Sequence, residues 1–131
     1  MFETLGIDHV AFIARDIERS VAWYQSVLGM ERIYEDAWTG QGDPIALCVP
    51  GSSCPLCVAL FRPLPSRGRE PAPPRAGDHF ALKVDRANFD LAQEHLKSLD
   101  MEFTFWDHKV SHSIYLNDPD GNEVEITTYD L

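Results

Sequence analysis

No stretch of the sequence approaches the roughly 20 consecutive apolar residues that cross a bilayer, so no spanning helix is expected. Positive charge is scarce: 11 Lys and Arg stand against 21 Asp and Glu, a formal net charge of -10. A surface of that sign repels phosphate backbones and anionic headgroups over a Debye length, which makes nucleic acid and membrane surfaces poor partners. The opening Met1-Phe2-Glu3-Thr4 lacks the basic start of a signal peptide, and a cytoplasmic location is expected. Cysteine is nearly absent as well. Cys48, Cys54 and Cys57 are an odd number in a chain large enough to need no staple, so free thiols in a reducing compartment are expected. Cys54-Pro55-Leu56-Cys57 offers two of the four ligands of a structural zinc site. It runs into Val58-Ala59-Leu60-Phe61, a strand signal, where a redox motif would place a helix.

What remains is an ordinary globular composition. The chain has 131 residues, of which 44% are apolar, enough for one domain with a normal core and too few for a multidomain enzyme. Its organisation shows in a weak internal repeat. Asp8-His9-Val10-Ala11-Phe12-Ile13 returns as Asp78-His79-Phe80-Ala81-Leu82-Lys83, and Leu28-Gly29-Met30-Glu31 returns as Leu99-Asp100-Met101-Glu102.

Each copy reads as a strand, a helix and three strands, an α+β arrangement of two βαβββ modules. Asp16 should cap a first helix with Ile17, Val21, Tyr24 and Leu28 on one face, ending at Gly29. A second helix should begin near Asp85, its apolar face marked by Leu91, Ala92, His95 and Leu99. Later strands are expected over 31–36, 45–49 and 56–61, then 102–106, 113–117 and 123–129. Residues 62–77 hold five prolines and four arginines around one large apolar residue, which reads as a stiff linker between modules spanning about 6–61 and 78–129. Asp118-Pro119-Asp120-Gly121-Asn122 has the chemistry of a tight turn between the last two strands.

Alternate residues of a strand face opposite sides. If the bulky face of each strand packs on the helices, His9, His79 and one of Glu123 and Glu125 share the other, concave side. Two neutral imidazoles and a carboxylate suit Fe(II), Mn(II), Ni(II) or Zn(II).

These residues carry a family resemblance. Ile7-Asp8-His9-Val10-Ala11-Phe12, Trp23-Tyr24-Gln25-Ser26-Val27-Leu28-Gly29-Met30, the restart at Asp78-His79-Phe80-Ala81 and the ending from Tyr115 to Glu125 together resemble the vicinal oxygen chelate superfamily. Glyoxalase I, extradiol dioxygenases, methylmalonyl-CoA epimerase, fosfomycin-resistance proteins and bleomycin-binding proteins belong to that superfamily. The resemblance implies a curved mixed sheet around a metal cleft within a single domain. It implies His9, His79 and Glu125 as ligands, a small-molecule substrate that chelates through neighbouring oxygens, and a homodimer. The usual fourth ligand of glyoxalase I would lie on the last strand of module one, where Leu56 to Phe61 offers no carboxylate, His or Gln.

The segment from Asp107 to Tyr115, with the following turn and Glu125, is similar to the signature of extradiol dioxygenases. By that similarity Tyr115 and either His112 or His108 would orient substrate oxygens and move protons. Three protein ligands on one octahedral face leave two positions for a chelating diol and one for O₂. An Fe(II) extradiol-type dioxygenase is therefore the first expectation. A glyoxalase-type lyase or isomerase, a fosfomycin-type thiol transferase and a non-enzymatic binding protein are the alternatives. The acid-base His that larger dioxygenases carry near the end of module one has no counterpart between Cys48 and Leu64.

Overall fold

The computed structural model describes residues 1–3, 5, 7–51, 57–74 and 77–131. The chain forms two compact units, Met1–Ala72 and Pro73–Leu131, divided inside the proline-rich stretch. Each is a four-stranded mixed sheet with one helix, so the βαβββ module occurs twice.

Unit one contains β1 (His9–Ile13), α1 (Ile17–Leu28), β2 (Glu31–Ile33), β3 (Ile45–Cys48) and β4 (Cys57–Phe61), in sheet order β1-β4-β3-β2. The caps of α1 are those its sequence dictates. Asp16 accepts a hydrogen bond from the Arg19 N–H, and Gly29 ends the helix at φ 65°, where its amide closes on the Tyr24 carbonyl. The helix buries Ile17, Ser20, Tyr24 and Val27; Val21 and Leu28 lie at the margin of that face. β1 and β4 run parallel, with His9 opposite Cys57 and Ala11 opposite Ala59. β3 and β4 are antiparallel, with Cys48 opposite Cys57.

The expectation of three free thiols fails here. Cys48 and Cys57 form a disulfide with Cα atoms 4.3 Å apart. Antiparallel register is the cause: they stand nine positions apart in sequence, but pairing of β3 with β4 sets their side chains side by side. Cys54 lies outside the described residues.

The linker is more ordered than its composition suggests. Pro65–Arg67 make a turn of 3-10 helix ended by Gly68 at φ 68°, and Leu64 bridges Arg69. Arg69 lies over the Phe61 ring at 4.3 Å and donates to the Gly42 carbonyl at 2.6 Å, which ties the segment back onto unit one.

Unit two contains β5 (His79–Lys83), α2 (Arg86–Ser98), β6 (Thr104–Asp107), β7 (His112–Asn117) and β8 (Glu123–Thr128), in order β5-β8-β7-β6. Asp85 caps α2 by accepting from the Asn88 N–H at 2.8 Å. The apolar face of α2 differs from the expected one. Phe89 and Leu96 are buried, whereas Leu91 is 58% and Leu99 40% exposed. The seven-residue step from Phe89 to Leu96 is two helical turns, and half-buried Ala92 and Gln93 lie between them on the same stripe; burying each of the two large side chains contributes roughly 1.5–3 kcal/mol. Beneath them the sheet presents Ile114, Leu116, Val124 and Ile126, all buried.

The β7–β8 turn is held by one side chain. The Asp118 carboxylate accepts from the Asp120 and Asn122 amides and from the Asn122 side chain, each within 2.9 Å. Gly121 sits at φ 81°, and a Cβ there would come within 2.8 Å of Pro74. The turn thereby fixes the register that sets Glu125 opposite Tyr115. Among the described residues no helix is long and apolar enough to cross a membrane.

Candidate functional site

In unit two, alternation along β5, β8 and β7 puts His79, Glu123, Glu125, Ser113, Tyr115 and Asn117 on the face away from α2. Glu125 stands between Ala81 and Tyr115 across the ladder. It is an acid at only 9% exposure, and burial at that level demands partners for both oxygens. Ser113 donates its hydroxyl to Oε1 at 2.6 Å, and His79 Nε2 lies 2.9 Å from Oε2. Ser113 Oγ also sits 2.9 Å from Thr127 Oγ1, which donates in turn to the His112 carbonyl.

Two further carboxylates approach the other ring nitrogen of His79. Nδ1 is 3.5 Å from Asp78 and 3.9 Å from Glu123. Asp78, His79 and Glu123 each present a ligand atom within 4.8 Å of the others, so His79 has acidic oxygens on both sides of its ring. A divalent cation fits this donor chemistry: a buried carboxylate, oriented by a neutral hydroxyl, shares a short contact with an imidazole nitrogen.

Tyr115 borders the same group. Its ring meets that of His79 edge-on at 5.6 Å, and its hydroxyl is 2.8 Å from His108 Nε2. Burial first, then the charge of Glu125 and hydrogen bonding to it, raise the phenol above its ordinary pKa, which makes it a weaker acid than a free tyrosine. A groove of about 500 Å³, lined in part by Phe103, Thr104, Tyr115 and Asn117, opens beside it.

His112 is not part of this group. It opens β7, three residues before Tyr115, and an odd separation in a strand means the opposite face. Its Nδ1 lies 3.3 Å from Arg86 on α2, its Nε2 3.8 Å from Asp107, and its ring touches Phe105. Of the two histidines expected near Tyr115, the structure brings His108 to the phenol and turns His112 toward the helix.

In unit one, His9 is half exposed, with Nδ1 2.7 Å from the Asp8 carboxylate. The positions matching Glu125 and Tyr115 by register are Ala59 and Ala46, so this face supplies no second carboxylate at that level.

Ser113 is not among the site residues that the sequence motifs point to. Alternation back from Tyr115 was the available signal, since it puts Ser113 on the same face and diagonal to Glu125.

Residues 6–126 match the family model of the Glyoxalase/Bleomycin resistance protein/Dioxygenase superfamily, and the chain belongs to that family. It is 28% identical over 131 residues to the uncharacterised protein YwbC of Bacillus subtilis, covering 91% of this chain and 94% of that protein. It is 26% identical over 126 residues to the metallothiol transferase FosB of Lysinibacillus sphaericus, covering 94% and 82%. Among solved structures, the fosfomycin resistance protein FosX of Mesorhizobium loti superposes with a TM-score of 0.68 at 25% identity, covering 98% of this chain and 96% of that one. Relatives with named activities are enzymes, and members of the family bind divalent metals.

Proposed function

We propose that the protein is a metal-dependent enzyme acting on a small substrate that chelates through two neighbouring oxygens, with His79, Glu125 and His9 as the metal ligands. The observation that carries this reading is the buried Glu125 carboxylate, held on one oxygen by Ser113 and facing His79 Nε2 at 2.9 Å with the other. His9 joins the set as the counterpart of His79 in the module repeat. The bound metal would supply Lewis acidity toward the paired oxygens of the substrate.

The protein's own groups then divide the work. Ser113 fixes the rotamer of Glu125. Tyr115 donates a hydrogen bond to a substrate oxygen, and His108, 2.8 Å from the phenol, receives or returns its proton. The groove beside Tyr115 admits a small molecule. That His–Tyr pair next to the carboxylate and imidazole is the feature in keeping with an Fe(II) extradiol-type dioxygenase, with a catechol-like diol as substrate.

A second reading has its own support. The similarity to a metallothiol transferase and to a fosfomycin resistance protein favours transfer of a thiol to, or opening of, a small oxygen-bearing substrate, with Mn(II), Ni(II) or Zn(II) in place of iron. A glyoxalase-type lyase or isomerase shares that arrangement. We also propose a homodimer, as short two-module members of the family often form.

The deciding experiment loads metal-free protein separately with Fe(II), Mn(II), Ni(II) and Zn(II). Each form is assayed for O₂ uptake with catechols, and anaerobically for thiol addition to an epoxide and for hemithioacetal isomerisation. Iron-dependent O₂ uptake supports the dioxygenase. Oxygen-independent turnover with another metal moves the protein to the transferase or lyase branch. A protein that takes up no metal at all overturns both.

A further inference from the structure

We propose that Trp106 is a specificity-determining residue, on which the substrate lays a flat aromatic group carried beyond its two chelating oxygens. The proposal rests on the metal-site reading above and deepens it by naming the substrate class, a small oxygen chelator extended by a second ring.

β6 is the outer strand of its sheet, and its register decides which way each side chain points. Directly paired residues share a face, so Thr104, opposite Tyr115, and Trp106, opposite Ser113, stand on the face that bears Glu125. Phe105, opposite Ile114, turns to the other face. The two neighbouring aromatics consequently have different surroundings. Phe105 meets the ring of Phe89 at 6.5 Å and that of His112 at 5.2 Å, so its side chain is held on the helix side. Trp106 is 58% exposed, and its described ring contact is with His108, at 6.4 Å and tilted by 48°.

A lone exposed aromatic is commonplace, but this one ends a line of rings that starts at the metal-site histidine. His79 lies 5.6 Å from Tyr115, Tyr115 6.2 Å from His108, and His108 6.4 Å from Trp106. Each step falls within the roughly 4.5–7 Å at which rings attract edge-on or offset, so a flat ligand meets a ring at every stage from His79 outward.

The spacing sets the size of that ligand. Trp106 is the diagonal neighbour of Tyr115, about 7–8 Å away across the β6–β7 ladder. From Glu125 it is two strands across and one residue pair along, roughly 12 Å between backbones. A single ring chelated beside Glu125 ends at Tyr115, and a second ring attached to it spans the rest. Trp106 also continues the wall of the groove beside Tyr115, because Thr104 lines that groove and Trp106 is the next residue of β6 on the same face. With Glu102 in the groove and Glu123 on the face, a neutral ring is accepted where an anionic tail would be repelled.

The experiment uses the full chain loaded with Zn(II), which holds a diol without oxidising it. It compares catechol with 3-phenylcatechol, two probes with the same chelating pair that differ by one ring. Calorimetry gives both affinities for wild type, Trp106→Ala and Trp106→Phe, and sedimentation gives the mass of each protein. Wild type should bind 3-phenylcatechol roughly 3- to 10-fold more tightly than catechol. Trp106→Ala should bring 3-phenylcatechol down to the catechol value, and Trp106→Phe should restore part of the preference. No preference in wild type, a preference untouched by Trp106→Ala, or an equal loss for both probes would overturn the proposal. A fall in sedimenting mass with the preference intact would overturn it too, and would assign Trp106 to contact between copies of this chain. If wild type takes up no Zn(II), the metal-site reading fails, and 4-phenylphenol, which has two rings and no chelating pair, then decides on metal-free protein. Binding of that probe weakened by Trp106→Ala keeps Trp106 as the ring contact; binding that is absent or unaffected removes it.

Discussion

The two modules share a frame and differ in what they mount on it. In both, the first strand pairs parallel with the last, the last pairs antiparallel with the one before it, and a histidine opens the first strand. Matching positions through the ladders sets Cys57 against Glu123, Ala59 against Glu125, Ala46 against Tyr115 and Cys48 against Asn117. Module two therefore carries carboxylates and a phenol around its histidine. Module one keeps the histidine and its preceding aspartate but surrounds them with small side chains and a covalent cross-link. The repeat supplies geometry, and a few strand positions make the two faces chemically different.

The sharpest way to break this comparison is to make module two resemble module one. Glu125→Ala copies the Ala59 environment and should abolish stoichiometric metal binding, a loss well beyond the roughly 10- to 100-fold cost of disturbing a supporting group. Metal analysis of purified variant and wild type checks it. Next in size, Tyr115→Phe should lower turnover about 100-fold or more while leaving metal content intact, because it removes a proton donor and spares the ligands. Steady-state kinetics paired with metal analysis separate the two effects.

The converse test removes what is peculiar to module one. Cys48→Ala opens a loop closed across a sequence separation of nine and should cost about 2–3 kcal/mol of stability in non-reducing buffer. Denaturant melts should show that gap narrowing when reductant is added to both proteins. The smallest effect concerns what the modules have in common. Asp16→Ala and Asp85→Ala each delete a helix N-cap and should cost about 1 kcal/mol apiece, measured by the same melts.

How far the sequence reveals this structure depends on whether a feature is local. Asp16 and Gly29 bound α1 because a cap acts within one turn of chain, and Asp118 to Asn122 form their turn for the same reason. Faces set by alternation are legible where the strand's start is known. His79 and Glu125 come together with Tyr115, the first two on a face that alternation leaves open between Glu123 and Glu125, the choice of Glu125 and the addition of Tyr115 being what the family resemblance implies. His112 fails because residues 107–112 read as a loop, whereas β7 begins at His112 and its parity is then fixed by buried Ile114 and Leu116. The face of α2 is not legible because Leu91 and Leu99 recur at helical spacing just as Phe89 and Leu96 do, and only the packed sheet decides that the second pair is buried. The Cys48–Cys57 link is invisible until the pairing of β3 with β4 is known, since nothing in the spacing of the three cysteines prefers it.

That link also changes what a cut in the backbone means. Between Cys48 and Cys57 the chain is a closed hoop, with the peptide path on one side and two sulfurs on the other. A protease severing any bond inside the hoop leaves β3 and β4 in one molecule, which would run as intact protein on a gel until reductant releases two fragments. The corresponding hairpin of module two, which contains no cysteine, would part after a cut as soon as the strands are denatured. The β3–β4 hairpin can thus be nicked and remain whole, while the β7–β8 hairpin that carries Glu125 cannot.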